Sequence, residues 1–176
     1  YQRGYSWDEE QIIDLLTDIE MHNNKSGHKH FTGTIVVERP KGGDVFQIVD
    51  GQQRLVSCVM ILRAIVELNP GNLKGIDSIL TKTKNGFEST LTLNKQDSLF
   101  FKESILNENV KPINTASNER LRNGFEKIEK WLAEEGRDVE KVFNNLTEHV
   151  GFIFFETASN KETTTMFEVI NNRGKE

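Results

Sequence analysis

The stretch Val45-Phe-Gln-Ile-Val-Asp-Gly-Gln-Gln-Arg54 decides the fold, because strand-forming residues end at Asp50-Gly51 and a long apolar helix follows directly. The first backbone N–H groups of a helix lack intrahelical acceptors and lie at the positive end of its dipole, so a phosphate is favoured there. Arg54 in the first turn adds a fork of donors suited to phosphate oxygens. This junction is therefore the candidate anion site.

Composition restricts the classes of protein to which the chain can belong. Its 176 residues suffice for one compact domain with a real core, or for one domain plus a smaller helical subdomain, and 36% hydrophobic with 28% charged residues is typical of a globular protein. No apolar run approaches the roughly 20 residues of a membrane span. The net charge of -5 argues against a surface dominated by DNA-backbone contacts. Cys58, the single cysteine, is predicted to be a buried small hydrophobe, and a cytoplasmic location is expected.

Hydrophobic periodicity outlines the first half of the chain. Ser6-Trp-Asp-Glu9 has the capping-box pattern, which predicts Ser6 as the N-cap of a helix over about Trp7–Met21. Alternating residues over Phe31–Val37 predict a strand that forms a hairpin with the strand ending at Val49. The helix over about Gln52–Leu68 has almost no polar face and is predicted to be central to the core.

The second half is predicted to be mainly helical. Asn85-Gly86 predicts a second hairpin, and Asn94 is expected to cap a helix. An amphipathic helix around Leu121–Leu132 and a shorter one follow. His149–Glu156 is predicted to be a buried strand and Lys161–Asn172 a last helix. The histidines His22, His28 and His30 lack a fourth metal ligand, so a solvated loop is the preferred interpretation there.

Several side chains around the junction have residue types suited to phosphate chemistry. Asp50 either holds a Mg²⁺ ion that bridges phosphates or caps the following helix, and both interpretations are open. Gln53 is assigned to orienting water or a phosphate oxygen, while Arg3 and Arg173 are candidate closing cations from the two ends of the chain. Neither a P-loop nor a Rossmann glycine motif occurs, so any nucleotide site is of another kind.

Taken together, five motifs in one order resemble the N-terminal domain of GmrSD-type modification-dependent restriction proteins, a bacterial anti-phage defence module. The motifs are Tyr1-Gln-Arg-Gly-Tyr-Ser-Trp7, Phe31-Thr-Gly-Thr-Ile35, Ile48-Val-Asp-Gly-Gln-Gln-Arg-Leu55, Leu91-Thr-Leu-Asn94 with Asp97, and Phe167-Glu-Val-Ile-Asn-Asn-Arg-Gly174. The resemblance implies an α+β, ParB/sulfiredoxin-like fold: a small mixed sheet with packed helices and a helical C-terminal half. Gln52 stands where sulfiredoxin has its catalytic cysteine, so sulfiredoxin chemistry is not expected.

The resemblance also implies nucleoside-triphosphate binding and hydrolysis with Mg²⁺, for which Asp50 is the candidate metal ligand. Expected catalytic residues are Asp50, Gln53 and Arg54, and expected phosphate-binding residues are Arg3, Gly33, Gly51, Gln52, Arg54, Asn171 and Arg173. In the family, hydrolysis is coupled to sensing modified DNA and to a nuclease in a later domain, so the chain is expected to be a fragment of a longer protein. The expected partners are a nucleoside triphosphate, DNA through the full-length protein and that nuclease domain, with homo-oligomers possible and no membrane.

The expected domain organisation has three parts. Residues 1–70 form a ParB/sulfiredoxin-like core with the Asp50–Arg54 motif, residues 71–148 a hairpin plus a mainly helical insertion, and residues 149–176 the closing strand and helix of the core. Two other functions stay open. One is a ParB-like module that binds or cleaves DNA without nucleotide turnover, and the other is a purely structural interaction domain.

Overall fold

The computed structural model describes residues 4–22, 30–39, 45–68, 81–83, 87–89, 91–107, 109, 111–157 and 162. The helices in these ranges are α1 (Glu9–Met21), α2 (Gln52–Leu68), α3 (Lys95–Phe100), α4 (Ala116–Leu132) and α5 (Val139–Asn144). The strands are β1 (His30–Glu38), β2 (Gln47–Asp50), β3 (Thr81–Thr83), β4 (Phe87–Ser89) and β5 (Val150–Thr157). Wider π-helical turns continue α3 over Phe101–Leu106 and α5 over Asn145–His149.

The main sheet is small and mixed. Its strand order is β2-β1-β5, with β1 antiparallel to β2 and parallel to β5. The parallel pair begins where His30 faces Val150 and runs to the pair Glu38 and Thr157. A parallel pair needs a long crossover, and here it contains all the helices from α2 to α5. The predicted α+β class with a small mixed sheet is confirmed.

Both predicted hairpins are present. β1 and β2 form the first, with a bulge between Val36 and Val37, and β3 and β4 form the second, with Thr83 paired to Phe87. Ile35, Val36 and Val37 are all buried, because β1 is the central strand of its sheet. This half of β1 packs against the start of α2.

α2 is the central helix of the core, as its sequence predicts. It packs against α4 and the π-helical turn after α3, and α1 also packs against α4. Met60, Ile61, Ala64 and Ile65 have no measurable exposure, and Cys58 is 5% exposed. The predicted burial of Cys58 is therefore confirmed, and the N-terminus of α2 is fixed by the packing of the rest of the helix.

The helices of the C-terminal half belong to the same apolar core. Its buried members come from α1 and α2 and also from α3, α4 and α5, including Phe101, Leu121, Ile128 and Val142. The division into residues 1–70, 71–148 and 149–176 stays a prediction. None of the helices in the described ranges has the length and apolar composition that a membrane span requires.

α1 begins two residues later than predicted, with another cap. Asp8 is the N-cap: its Oδ1 accepts from the Glu10 N–H at 3.0 Å, and its own N–H donates to Gln11 Oε1 at 2.9 Å. The prediction that Ser6 is the N-cap was wrong, because Asp8-x-x-Gln11 satisfies the same reciprocal pattern. The Ser6 N–H bonds instead to Gln53, far along the chain.

The last predicted elements are confirmed in part. β5 begins and ends one residue later than the predicted strand, and its Ile153 and Phe154 are 47% and 54% exposed, so it is buried only in part. It is the end strand of the described sheet, which explains this exposure. The predicted helix over Lys161–Asn172 lies outside the described residues except Glu162, which is helical.

Candidate functional site

Gly51 sets the angle between β2 and α2. Its φ of +85° is in the left-handed region, and a Cβ there would lie 2.6 Å from the backbone oxygen of Thr34. Only glycine lets the chain turn this closely over β1. The Leu55 N–H donates to Gly51 O at 3.1 Å, so the amides of the three preceding helical residues have no acceptor one turn back within α2. The start of α2 therefore presents free N–H groups beside the centre of the sheet.

Arg54 lies between Gly33 and Trp7. Its Nη1 occupies the place that a Cβ on Gly33 would take, and its Cζ is 5.7 Å from the centroid of the Trp7 ring. Gly33 itself has a φ of +142°. The guanidinium is half-buried, and within the described ranges it has no hydrogen-bond acceptor and no carboxylate partner. Its donors are therefore available to a ligand.

Gln53 has a different environment from its neighbour. Its Oε1 accepts the Ser6 N–H at 2.7 Å, and its Nε2 donates to Gly4 O at 3.2 Å. The amide thus pairs with the N-terminal segment, Gly4–Trp7, as a neighbouring β-strand would. These contacts hold the N-terminal segment, and the catalytic assignment of Gln53 to water or phosphate stays a prediction.

Tyr5 joins the same segment to the second turn of α2. Its ring is buried at 3% exposure, and its hydroxyl is 2.7 Å from Ser57 Oγ. Since Ser57 donates its own proton to Gln53 O at 3.0 Å, the Tyr5 hydroxyl is the donor to Ser57. Burial raises the pKa of Tyr5, and the bond to Ser57 lowers it in part. Tyr5 is therefore a neutral anchor of the segment.

Asp97 is the centre of a polar cluster on the opposite side of this segment. It is 1% exposed, and its carboxylate accepts from Ser117 Oγ at 2.7 Å and from Asn94 Nδ2 and Asn118 Nδ2 at 2.9 Å. Ser117 Oγ in turn accepts the Tyr5 N–H at 2.7 Å. Sequence reasoning named Asp97 only within a motif. The available signal was an acidic residue among positions that pack into the core.

Asp50 is the last residue of β2, where it pairs with Val36. Its side chain is half-buried and makes no hydrogen bond or ion pair in the part of the chain that the structure describes. It does not cap α2, so the capping alternative is not supported. No group of three or more His, Cys, Asp or Glu among the described residues has the arrangement of a metal site. Mg²⁺ needs only one or two carboxylates when phosphates supply other ligands, so Asp50 stays a candidate.

Cys58 lies one turn after Arg54, and its thiol is not a nucleophile. Burial raises its pKa to about 12, although the charge of Arg54 acts in the opposite direction. A protonated thiol attacks poorly. Cys58 is therefore a poor replacement for the catalytic cysteine of sulfiredoxin, and the absence of sulfiredoxin chemistry stays a prediction.

Three histidine rings lie near one another, while the loop between His22 and His30, for which a solvated position is predicted, lies outside the described residues. The His22 ring is 5.8 Å from the His30 ring and 5.6 Å from the His149 ring, measured between centroids. His28 lies outside the described residues. His30 is the first residue of β1, and His149 directly precedes β5, so these rings lie at the end of the sheet where both strands begin.

The structure therefore brings together four of the predicted site residues, Gly33, Gly51, Gln53 and Arg54. Gln52 is half-buried in the first turn of α2. Arg3, Asn171 and Arg173 lie outside the described residues, so their predicted contacts with phosphate stay predictions. Sequence reasoning missed the positions of Trp7 and Tyr5 against α2, because both depend on contacts distant in sequence.

Comparison with known proteins gives one result at the level of the family. The sequence model described as "GmrSD restriction endonuclease, N-terminal domain" matches residues 1–176. A search among curated proteins found no significant match. The matched span contains every motif on which the resemblance was based. The chain therefore belongs to the GmrSD restriction endonuclease N-terminal domain family, which makes it a component of a restriction system.

Proposed function

We propose that this domain binds a nucleoside triphosphate at the N-terminus of α2 and hydrolyses it, as the regulatory part of a bacterial anti-phage, modification-dependent restriction protein. The observation that carries the proposal is Arg54. It is a half-buried guanidinium at a helix N-terminus that has neither an acceptor nor a carboxylate partner among the described residues. An unpaired cation at the positive end of a helix is unfavourable, and an anionic ligand that accepts from its free donors would remove this cost.

The surroundings of Arg54 favour an anion over other ligands. The free N–H groups of the first turn and the helix dipole both stabilise negative charge at this end of α2. Gly33 removes steric bulk beside the guanidinium, and Trp7 stacks near it without using any of its donors. A guanidinium with unused donors pairs well with two phosphate oxygens.

Asp50 supports a role for Mg²⁺, because its carboxylate has no partner among the described residues. Asp50 would hold the ion together with the phosphates of the nucleotide. When bound, Mg²⁺ would neutralise phosphate charge during transfer to water. Because the Gln53 amide is engaged with Gly4 and Ser6, Gln52 is the better placed amide of the pair to orient that water.

Family membership supplies the biological setting of the proposal. Nucleotide turnover in this domain would be coupled to the sensing of modified DNA and to a nuclease domain of the full-length protein. The domain would then act on DNA indirectly, which agrees with its net charge of -5. A cytoplasmic location is part of the same proposal.

The experiment that tests the proposal is a binding titration of Mg²⁺ with each of ATP, GTP, CTP and UTP. Arg54→Ala is expected to weaken binding at least about tenfold, since the loss of a charged hydrogen bond costs about 1.5–3 kcal/mol. Arg120→Ala is the matched control, because Arg120 is an exposed arginine on α4. Circular dichroism would verify that both variants are folded.

Two results would contradict the proposal. One is binding by Arg54→Ala with the affinity of the native domain. The other is binding of none of the four nucleotides by the native domain. If the domain instead bound duplex DNA with an affinity that fell steeply with salt, the ParB-like DNA-binding alternative would replace the proposal.

A further inference from the structure

We propose that Asp97 is a positioning residue for the Arg54 site, acting through Ser117 and the backbone of Tyr5 to hold Trp7 beside the guanidinium. This inference rests on the proposed function, because it concerns the affinity of that site for a nucleotide. It assigns a role to a buried carboxylate that does not touch Arg54.

The first step is the direction of the hydrogen bonds around Ser117. Its hydroxyl has one proton, which it donates to Asp97 Oδ2 at 2.7 Å. The lone pairs of the same oxygen therefore face the Tyr5 N–H, also at 2.7 Å. The negative charge of Asp97 fixes this order, because a carboxylate only accepts.

The second step is the fixation of the N-terminal segment, Gly4–Trp7, from its other side. The Gln53 amide bonds to Gly4 O and to the Ser6 N–H, and the Tyr5 hydroxyl bonds to Ser57. The segment is thus held between the first turns of α2 and the cluster around Asp97. Hydrogen bonds on both sides define its position more tightly than either set would alone.

The third step connects the segment to the ligand site. Trp7 is the last residue of the segment, is half-buried against the core, and lies 5.7 Å from Arg54 Cζ. Among the described residues it is the only side chain in attractive contact with the guanidinium. If the segment shifts, Arg54 loses the group that limits its orientations, and a phosphate must then order it.

The experiment uses Ser117→Ala, which removes the link to Tyr5 while Asp97 keeps its bonds to Asn94 and Asn118. Ser104→Ala is the matched control. Its buried hydroxyl likewise both donates and accepts: it donates to Asn109 O and accepts from the Lys111 N–H, each at 3.0 Å. Within the described residues, Ser104 makes no hydrogen bond to the N-terminal segment.

Two measurements are made on each variant. Acrylamide quenching of tryptophan fluorescence reports on Trp7, because the other tryptophan, Trp131, is only 4% exposed. A titration with Mg²⁺ and ATP gives the affinity of the site. Ser117→Ala is expected to increase quenching and to weaken binding about two- to tenfold, the range of one net hydrogen bond. Ser104→Ala is expected to change neither.

Unchanged quenching in Ser117→Ala would overturn the inference, and so would increased quenching with native affinity for ATP. If Ser117→Ala does not fold, Ser117→Cys replaces it, since a thiol fills the space of the hydroxyl but is only a weak donor and acceptor. Failure of the proposed function is seen separately, as native affinity in Arg54→Ala or as no ATP binding by the native domain.

Discussion

Asp97 and Arg54 are two charged groups on opposite sides of the N-terminal segment, and they differ in how completely they are hydrogen-bonded. The Asp97 carboxylate is 1% exposed and accepts from three side chains at 2.9 Å or less. The Arg54 guanidinium is half-buried, with an aromatic ring nearby and no acceptor among the described residues. The carboxylate of Asp97 has its hydrogen-bond partners without a ligand, whereas the donors of Arg54 have none among the described residues.

This difference separates a structural polar group from a ligand-binding one. Neutral donors saturate Asp97, so its charge serves to fix the orientations of Ser117, Asn94 and Asn118. Arg54 retains unused donors at the positive end of a helix, which is an unfavourable arrangement unless an anion joins it. The presence of a charge alone would not distinguish the two sites, whereas the inventory of hydrogen bonds does.

The largest effect is expected from Asp97→Ala. The substitution leaves four side-chain donors without their acceptor: Asn94, Ser117 and Asn118 within 2.9 Å, and Thr115 at 3.5 Å. The three short bonds each contribute about 1–3 kcal/mol, so the free energy of unfolding should fall by at least about 3 kcal/mol. Urea denaturation measures the change. Asp138→Ala is the control, because the exposed Asp138 caps α5 through the Lys141 N–H and its loss should cost only about 1 kcal/mol.

Equal losses of stability in the two variants would show that the cluster around Asp97 contributes no more than an ordinary helix cap. The contrast between Asp97 and Arg54 would then lose its basis. In the same assay Arg54→Ala is expected to leave stability nearly unchanged, because the guanidinium makes no hydrogen bond that the substitution would break in the described structure.

Local patterns in the sequence predicted most of the fold. The apolar helix α2, both hairpins and the cap at Asn94 each follow from residues close together in the chain, and all are present. The single wrong cap shows the limit of such patterns. Ser6-x-x-Glu9 and Asp8-x-x-Gln11 fit the same spacing, and a hydrogen bond from the distant Gln53 accounts for the Ser6 N–H.

The candidate site was predicted at its centre and missed around it. The places of Gly51 and Arg54 could be predicted from neighbouring residues, because a turn and a helix N-terminus can be recognised in the sequence. The hydrogen bonds of Gln53 to the N-terminal segment and of Ser117 to Asp97 join positions that are distant along the chain. Periodicity carries no information on such pairs, so the bonds of Gln53 to the backbone could not be predicted from the sequence, and its catalytic role stays a prediction.

An effect of intermediate size is expected from Gly33→Ala. The new Cβ would occupy the position of Arg54 Nη1, so the guanidinium must move away while its charge is kept. Affinity for ATP with Mg²⁺ should fall about tenfold, close to the loss in Arg54→Ala. A titration of the variant measures this change and shows whether the position of Arg54 matters beside its charge.

Gly136→Ala is the control for backbone strain at Gly33. Gly136 also has a positive φ, +87°, but a Cβ there meets nothing within 4 Å. Its substitution should lower stability slightly and leave ATP affinity unchanged. Native affinity in Gly33→Ala would mean that the guanidinium binds phosphate from another position, and the arrangement beside Gly33 would have no functional meaning.

The smallest effect concerns Cys58, one turn beyond Arg54. Burial raises the pKa of its thiol from 9.0 to about 12, so at alkaline pH the unfolded chain loses this proton before the folded chain does. The buried, protonated thiol therefore contributes fully to the free energy of unfolding well below pH 9. This contribution is lost progressively as the pH rises from 9 towards 12. Between about pH 7.5 and about pH 9.5 the free energy of unfolding should therefore fall by about 1 kcal/mol more in the native domain than in Cys58→Ala.

Urea denaturation at the two pH values measures this difference, and comparing the pH dependence of each protein removes the loss of packing that Cys58→Ala causes at both. Burial also raises the pKa of Tyr5, but from an ordinary value of 10.0, so Tyr5 contributes little below that pH. An equal decrease in both proteins would mean that water reaches the thiol in the folded domain. The second turn of α2 would then be less rigid than the packing around Arg54 requires.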